Sequence, residues 1–176
     1  MNLNRIGLVC VVSLLAACGQ NGAGPSLAPA AWGEPPQKDP PAWIVQAAAD
    51  PALACFVDTI EGAKRSDANW QAEKSAPIRV SGWSVDSKSV DPIQRDVVAV
   101  LSGGGQRFVF KGVRSDRPDV RAAAQFAQLG PQQAGVTVEM NLNSLAPGKY
   151  ELSYVVGDEA KAASCDLGAA HAIEVR

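Results

Sequence analysis

The chain has few of the residues that enzymes and metal centres use most. It contains a single histidine, His171, among 176 residues, so any Ser–His–Asp or Cys–His arrangement would have to use that side chain. The glycine run at residues 103–105 lacks the following Lys-Ser/Thr of a phosphate loop and suits a hairpin turn. Four loop aspartates lack EF-hand spacing and suit turns and caps: Asp86, Asp91, Asp116 and Asp119. We therefore expect no enzyme activity and no metal.

The chain also lacks a charge excess and, beyond its N-terminus, a long apolar run. Its 16 Lys+Arg and 18 Asp+Glu give a net charge of −2, so no global basic field favours a nucleic-acid partner. After residue 17 no segment approaches the roughly 20 apolar residues that span a bilayer. Any membrane attachment must therefore be of another kind.

The N-terminus carries the features of an export signal. Arg5 precedes an apolar run over residues 6–15, and two small residues then precede Cys18. This order is typical of a secretory signal peptide, which the mature protein lacks. The Leu-Ala-Ala-Cys run at residues 15–18 resembles the bacterial lipobox, in which the cysteine is acylated and becomes the first mature residue. An ordinary signal peptide with a chance cysteine at the cut is the alternative.

The lipobox resemblance implies a cellular location and a covalently attached lipid. Residues 1–17 would be the lipoprotein signal peptide, and the lipid at Cys18 would attach the protein to a membrane, with no other cofactor. Gly19 rather than Asp after the acylated cysteine is similar to the outer-membrane sorting class of bacteria with two membranes. We expect a cell-envelope protein anchored in the outer membrane, on either of its faces.

Two cysteines remain for the exported domain. Cys10 leaves with the signal peptide and Cys18 is the acylation site, so Cys55 and Cys165 form an even pair in an oxidising compartment. We predict a disulfide between them. Two separate buried thiols are the alternative. A metal site built on the two cysteines is less favoured, because only His171 could join them as a ligand.

A proline-rich stretch separates the lipid site from the rest of the chain. Residues 19–51 hold seven of the twelve prolines, and proline fixes φ and removes backbone donors. The composition predicts a semi-extended tether over residues 18–51 and one globular domain over residues 52–176. Trp32 and Trp43 would either pack on the domain or enter the membrane interface, and packing is favoured for Trp43.

The domain has the pattern of short strands separated by turns. Strands are predicted near residues 55–60, 78–85, 97–101, 106–110, 136–142, 150–156 and 172–175. The run at 97–101 is apolar on both faces, as in a central strand. Val80 and Trp83 cannot share a face of a regular strand, so Gly82 is expected to mark a bulge. An Ala-rich helix is predicted over residues 117–129. Seven short strands favour an all-β, antiparallel Ig-like or fibronectin-like sandwich.

Three motifs resemble a known class of domains when taken in order. They are Phe-Val-Asp-x-Ile-x-Gly at 56–62 leading to Gly-Trp-Ser-Val-Asp at 82–86, Arg-Pro-Asp-Val at 117–120, and Leu-x-Pro-Gly-x-Tyr at 145–150. The set resembles bacterial exported or envelope-associated Ig-like modules appended to larger proteins, including glycan enzymes. The resemblance covers residues 55–156 and implies the fold, with no shared activity. The last motif is similar to a tyrosine corner, whose hydroxyl bonds to the turn backbone.

Two features are candidates for binding. The first is a set of cations on one hairpin, its loop and the next helix, suited to an anionic glycan or acidic protein: Arg107, Lys111, Arg114, Arg117 and Arg121. The alternative is solvated charges, with Arg117 paired to Asp119 or Asp58. The second is Trp70, an aromatic residue in a polar loop that could stack on a sugar. Trp83, Tyr150 and Tyr154 are expected in the core.

These observations favour a non-catalytic envelope lipoprotein that works by binding. We expect an envelope protein as its partner, with the chain acting as an assembly subunit, an inhibitor or an immunity protein. A carbohydrate or cell-wall ligand is the first alternative, because of Trp70 and the cations. A purely structural role that spaces or anchors is the second.

Overall fold

The computed structural model describes residues 33–87, 96–126 and 133–176. The predicted signal peptide, the lipid site Cys18, Trp32, Asp91 and the end of the predicted helix lie outside the described residues. In the described part, no helix is long and apolar enough to cross a membrane.

The protein is all-β, as the strand pattern predicted. The described residues form ten strands: β1 (Leu53–Glu61), β2 (Ala63–Arg65), β3 (Trp70–Ala72), β4 (Ile78–Asp86), β5 (Val97–Gly103), β6 (Gln106–Ser115), β7 (Gly135–Met140), β8 (Gly148–Gly157), β9 (Ala162–Asp166) and β10 (Ile173–Val175). Two short helices accompany them, α1 (Ala42–Val45) and α2 (Pro118–Ala122), with 3₁₀ turns at Ala124–Phe126 and Ala169–His171. The number of strands exceeds the seven predicted because β2, β3 and β9 are too short to show alternation.

The strands follow one path rather than two separate sheets. Its order is β1-β4-β7-β6-β5-β8-β10-β3-β2, and β9 pairs with β8. All these pairs are antiparallel except β10 with β3, which is parallel. The sheet is therefore mixed, and the expectation of a purely antiparallel fold is wrong. β6 turns the path, because its first part pairs with β5 and Gly112–Ser115 pair with β7. The sheet therefore curls into a nearly closed shape around one core.

Gly112 allows β6 to change partners. A Cβ at this position would lie 2.9 Å from both a side-chain carbon and the carbonyl oxygen of Val97. Any larger residue would separate β6 from β5 at the corner, so the turn of the path depends on this glycine.

The predicted helix over residues 117–129 is much shorter than expected. α2 ends at Ala122, since Ala123 is extended with φ −64° and ψ 134°. The break lets Val120 and Phe126 pack together against Val85 and Trp83 on the outer face of β4. Tertiary packing therefore overrides the helix propensity of the alanines.

The expected bulge lies on the neighbouring strand. β4 pairs without interruption with β7 through Gly82, whereas the β1–β4 register skips Asp58, between Val57 and Thr59. A Cβ at Gly82 would lie 2.1 Å from the carbonyl oxygen of Phe56. The glycine thus allows close approach of β1, and Asp58 is the extra residue.

The tyrosine corner is confirmed. The Tyr150 hydroxyl donates to the carbonyl oxygen of Ala146 at 2.7 Å, at the start of β8. The same ring packs edge-on against Phe108, with ring centroids 5.8 Å apart. The corner therefore ties the β7–β8 turn to the β5–β6 hairpin.

The second half of the predicted tether is not an extended linker. We call residues 33–51 the strap, because they lie on the outer face of β5, β6 and β8. Ile44 of α1 is 4% exposed, and it packs with Trp43 against four valines: Val98, Val100, Val109 and Val155. The packing expected for Trp43 is therefore confirmed.

Backbone hydrogen bonds hold both ends of the strap. The Gln37 amide donates to the Val109 carbonyl oxygen at 2.8 Å, and the Ser164 amide of β9 donates to the Ala48 carbonyl oxygen at 2.8 Å. The Asp50 amide donates back to the Ser164 carbonyl oxygen at 3.2 Å. The strap thus pairs with the outer edge of β9, which would otherwise be an open sheet edge.

The predicted disulfide between Cys55 and Cys165 is confirmed, with Cα atoms 6.3 Å apart. It joins β1, at one end of the strand path, to β9, which pairs with β8. The bond therefore fastens the side on which β1 and β9 have no ladder between them.

We predict that reduction of this disulfide strongly destabilises the domain. The loop it closes has a sequence separation of 110 residues, so the chain-entropy model gives a loss of about 4–5 kcal/mol in the free energy of unfolding. Urea denaturation with and without reductant measures the loss, and the Cys55→Ser/Cys165→Ser double variant should not respond to reductant. Equal midpoints for the oxidised and reduced protein would contradict the prediction.

Candidate binding surface

The five predicted cations do not form one positive face. Arg107 and Lys111 lie on the outer face of β6, on either side of buried Val109. Arg107 donates to the carbonyl oxygen of Val45 in the strap. Arg114 points inward, and its guanidinium donates to the Ser84 hydroxyl at 2.7 Å. These side chains therefore serve two different surfaces of the sheet.

Arg117 and Arg121 are paired with carboxylates. Arg117 makes two hydrogen bonds to Asp119, at 2.8 and 2.7 Å, and a third to Asp58 at 2.7 Å. Arg121 lies 3.2 Å from Asp116. The alternative in which Arg117 pairs with Asp119 and Asp58 is thus what the structure shows. The bulge at Asp58 brings this carboxylate to Arg117 across the sheet.

The Arg117 pairing fixes the protonation of both partners. Hydrogen bonds to Asp119 and Asp58 raise the pKa of Arg117 above its already high value. The hydrogen bonds from Arg117 lower the pKa of Asp119 to about 2. Arg117 and Asp119 therefore stay ionised across the physiological range.

A buried polar group lies inside the sheet near the disulfide. Arg114 and Ser84 share the inner face with Tyr154, which is fully buried and pairs in register with Cys165. Burial lowers the pKa of Arg114 to about 10 and raises the pKa of Tyr154. Within the described residues the Tyr154 hydroxyl has no hydrogen-bond partner. Ser84 and Tyr154 are buried, and Arg114 is partly exposed.

Trp70 lies in strand β3, not in the polar loop that the sequence predicted. Its ring is partly buried against the core, and the Arg65 guanidinium carbon lies 5.0 Å from the ring centroid. The indole Nε1 is buried and has no hydrogen-bond partner among the described residues. One face of the ring is therefore covered by Arg65, and Trp70 is not an open stacking platform.

An exposed aromatic surface lies elsewhere, on the outer face of β1 and β4. Among the described residues, Phe56 is the one large hydrophobic side chain classed as exposed, at 47%. It stacks on Trp83, with centroids 6.3 Å apart and planes at 25°, and meets the edge of His171 at 5.7 Å. We call Phe56, Trp83 and His171 the aromatic surface.

Strand pairing and packing explain how this surface forms. Phe56 and Trp83 are direct partners in the β1–β4 register, and Val57 beside them faces the core. Trp83 is supported edge-on by Phe126, with centroids 5.6 Å apart. The Arg117 side chain lies beside it, with Cγ 3.1 Å from where a Cβ of Gly135 would lie. The surface therefore combines aromatic rings with an adjacent, fixed ion-pair network.

The alternation of side chains along β1 and β4 could have predicted part of the aromatic surface. It places Phe56 and Val57 on opposite faces, and Val80 and Trp83 likewise, so an outward aromatic pair could have been found. His171 could not, because the 3₁₀ turn Ala169–His171 that carries it is distant in sequence. Its ring Nδ1 lies 2.6 Å from the Leu167 carbonyl oxygen.

The contacts that the structure describes for the His171 ring are those with the Phe56 ring and with the Leu167 carbonyl oxygen. Across the described ranges, no group of three or more His, Cys, Asp or Glu side chains is arranged to hold a metal ion. No protein-family model, no curated protein and no solved structure matches the chain.

We predict that the Asp119 carboxyl titrates near pH 2 and that Arg117 is the cause. In Arg117→Gln the pKa should return to about 3.9, the ordinary value for aspartate. Because the folded pKa is depressed, the pairing stabilises the fold above about pH 4, and this contribution is lost as the pH falls towards 2. Carboxyl carbon NMR measures the titration.

The matched control is Arg121→Gln, which removes the same charge from the neighbouring pair with Asp116. It should leave the Asp119 titration in place. An Asp119 pKa that does not change in Arg117→Gln, or that changes equally in both variants, would contradict the assignment.

Proposed function

We propose that this chain is a lipid-anchored envelope protein without catalytic activity, whose domain binds another envelope protein through the aromatic surface. The observation that carries the proposal is Phe56, a large ring left 47% exposed on a rigid sheet and backed by Trp83 and His171. Aromatic side chains, phenylalanine among them, are enriched in protein–protein interfaces.

The state of the neighbouring charges favours a protein over a glycan. The Arg117 guanidinium is already bonded to Asp58 and Asp119. It therefore has few N–H donors left for sugar hydroxyls. A protein partner needs only an apolar contact at the centre and a polar rim. The glycan alternative rested on Trp70 and on the five cations: Arg65 covers one face of the Trp70 ring, and the cations lie on different surfaces of the sheet.

The finer fold assignment belongs to the same proposal. The pairings β1–β4–β7 and β6–β5–β8–β9, with the tyrosine corner at β8, are those expected of an Ig-like sandwich. On this interpretation β2, β3 and β10 are additions along one side. The lipid at Cys18, the export signal and the outer-membrane location rest on the sequence of residues 1–19.

The test is cross-linking in cells of the tagged full-length protein, followed by mass spectrometry. We expect one envelope protein at near-equal amount, and its recovery should fall about tenfold or more in Phe56→Ala. The matched control is Thr59→Ala, which truncates another exposed side chain of β1 and should leave recovery unchanged.

Two results would contradict the proposal. One is recovery of the same partner at the same level from Phe56→Ala. The other is co-purification of polysaccharide or wall fragments in place of a protein, which would support the glycan alternative. If no partner is recovered and neither surface variant has a phenotype, the purely structural role is supported.

A further inference from the structure

A cleft separates the strap from the β5–β6 hairpin. Its volume is about 410 Å³, within the range of ligand pockets. Its lining comes from the strap, from the start of β6 and from the β7–β8 turn: Pro35, Pro36, Gln37, Lys38, Gln106, Arg107, Phe108 and Ser144. The cleft exists only because the strap is docked on the sheet.

The charged groups around the cleft have one sign. Lys38 and Arg107 are both cations, and no carboxylate lines the cleft. No ion pair to either side chain is present in the described part of the chain. Arg107 is oriented by its hydrogen bond to the Val45 carbonyl oxygen, and a guanidinium with five N–H groups retains further donors. Two cations that line one cleft, one of them with a planar donor fork, suit a phosphate.

The rest of the lining is mixed. Gln37, Gln106 and Ser144 are polar, whereas Pro35, Pro36 and Phe108, which is held edge-on against Tyr150 of the tyrosine corner, provide apolar surfaces. A simple hydrated anion has nothing to gain from these surfaces, whereas the glycerol and first acyl carbons of an amphiphile do. The lining therefore fits a phosphate that carries an apolar extension.

The position of the cleft indicates the source of such a ligand. The strap begins beside the end of β7, where the Asn141 amide donates to the Glu34 carbonyl oxygen at 3.0 Å. Ser144 of the cleft follows in the same turn. About 15 residues separate Cys18 from the strap, which reach at most roughly 50 Å when fully extended. The cleft thus lies beside the start of the strap, where the stretch of chain that follows Cys18 joins the domain.

The geometry points to this cleft as a binding site for the phosphate of an anionic lipid headgroup. Lys38 and Arg107 bind the phosphate, and Phe108 with the two prolines covers the apolar part. The site goes beyond the proposed protein-binding function and does not depend on the aromatic surface. It rests on the proposed lipid anchor only for the source of the phosphate.

The test is a titration of the full-length, ¹⁵N-labelled chain in uncharged detergent micelles. The probes are dihexanoyl phosphatidylglycerol, dihexanoyl phosphatidylcholine and inorganic phosphate. We expect phosphatidylglycerol to shift the amide signals of Lys38, Arg107 and Phe108 in a saturable manner, and the other two probes to bind at least about fivefold more weakly. Phosphatidylcholine keeps the phosphate but brings a quaternary ammonium cation beside Lys38 and Arg107, and inorganic phosphate lacks the apolar contact.

The variants Lys38→Gln and Arg107→Gln should each weaken phosphatidylglycerol binding about fivefold. The matched control is Lys111→Gln, which removes the same charge from β6 outside the cleft and should change affinity less than about twofold. Lys38 makes no hydrogen bond that holds the strap in the described structure, so its variant remains informative if Arg107→Gln loosens the strap.

Three outcomes would overturn the inference. If Lys111→Gln weakens phosphatidylglycerol binding as much as Lys38→Gln and Arg107→Gln do, the binding is general charge attraction and not a site in the cleft. Inorganic phosphate binding as tightly as phosphatidylglycerol would exclude the lipid as the source. Saturating phosphatidylglycerol without shifts at the cleft would exclude the site. None of these bears on partner recovery through Phe56, so the two proposals fail separately.

Discussion

The structure depends on the burial of β5 on both of its faces. Val97, Ala99 and Leu101 point into the main core, while Val98 and Val100 point outward and join Val109 and Val155 in a second apolar layer. An outer face of four valines cannot be left in water without a large cost. Ile44 and Trp43 of the strap cover it, so the chain before the first strand is part of the folded unit.

This docking determines where the other surfaces lie. The strap blocks the open edge of β9, forms one wall of the cationic cleft, and begins beside the β7–β8 turn. The aromatic surface lies at the other end of β4, because Trp83 is near the end of that strand and Ile78, at its start, pairs with Met140 of β7. The start of the strap and Phe56 therefore lie towards opposite ends of β4.

Local sequence patterns predicted the features that depend on residues close together in the sequence or on cysteine count. Alternation placed the longer strands, the export context and even cysteine count gave the Cys55–Cys165 bond, and the Leu-x-Pro-Gly-x-Tyr run gave the corner at Tyr150. The strap was missed because prolines exclude long helices and ladders but not packing through a single turn such as α1. Yet the apolar run at 97–101, apolar on both faces, already required a cover on its outer face, and Trp43-Ile44 was an apolar segment that no predicted strand included. The contacts of His171 with Phe56 and of Arg65 with Trp70 depend on how distant or very short elements meet, which a pattern in one sequence does not encode.

The most direct test of this account compares two chains, one beginning at residue 33 and one at residue 52, by urea denaturation under oxidising conditions. The account predicts that the shorter chain loses at least about 2 kcal/mol of unfolding free energy, since Ile44 alone contributes that much when buried. Ile44→Ala in the longer chain should shift the midpoint in the same direction. Equal midpoints for the two chains, with no change in Ile44→Ala, would show that the strap is only a tether and would contradict the account.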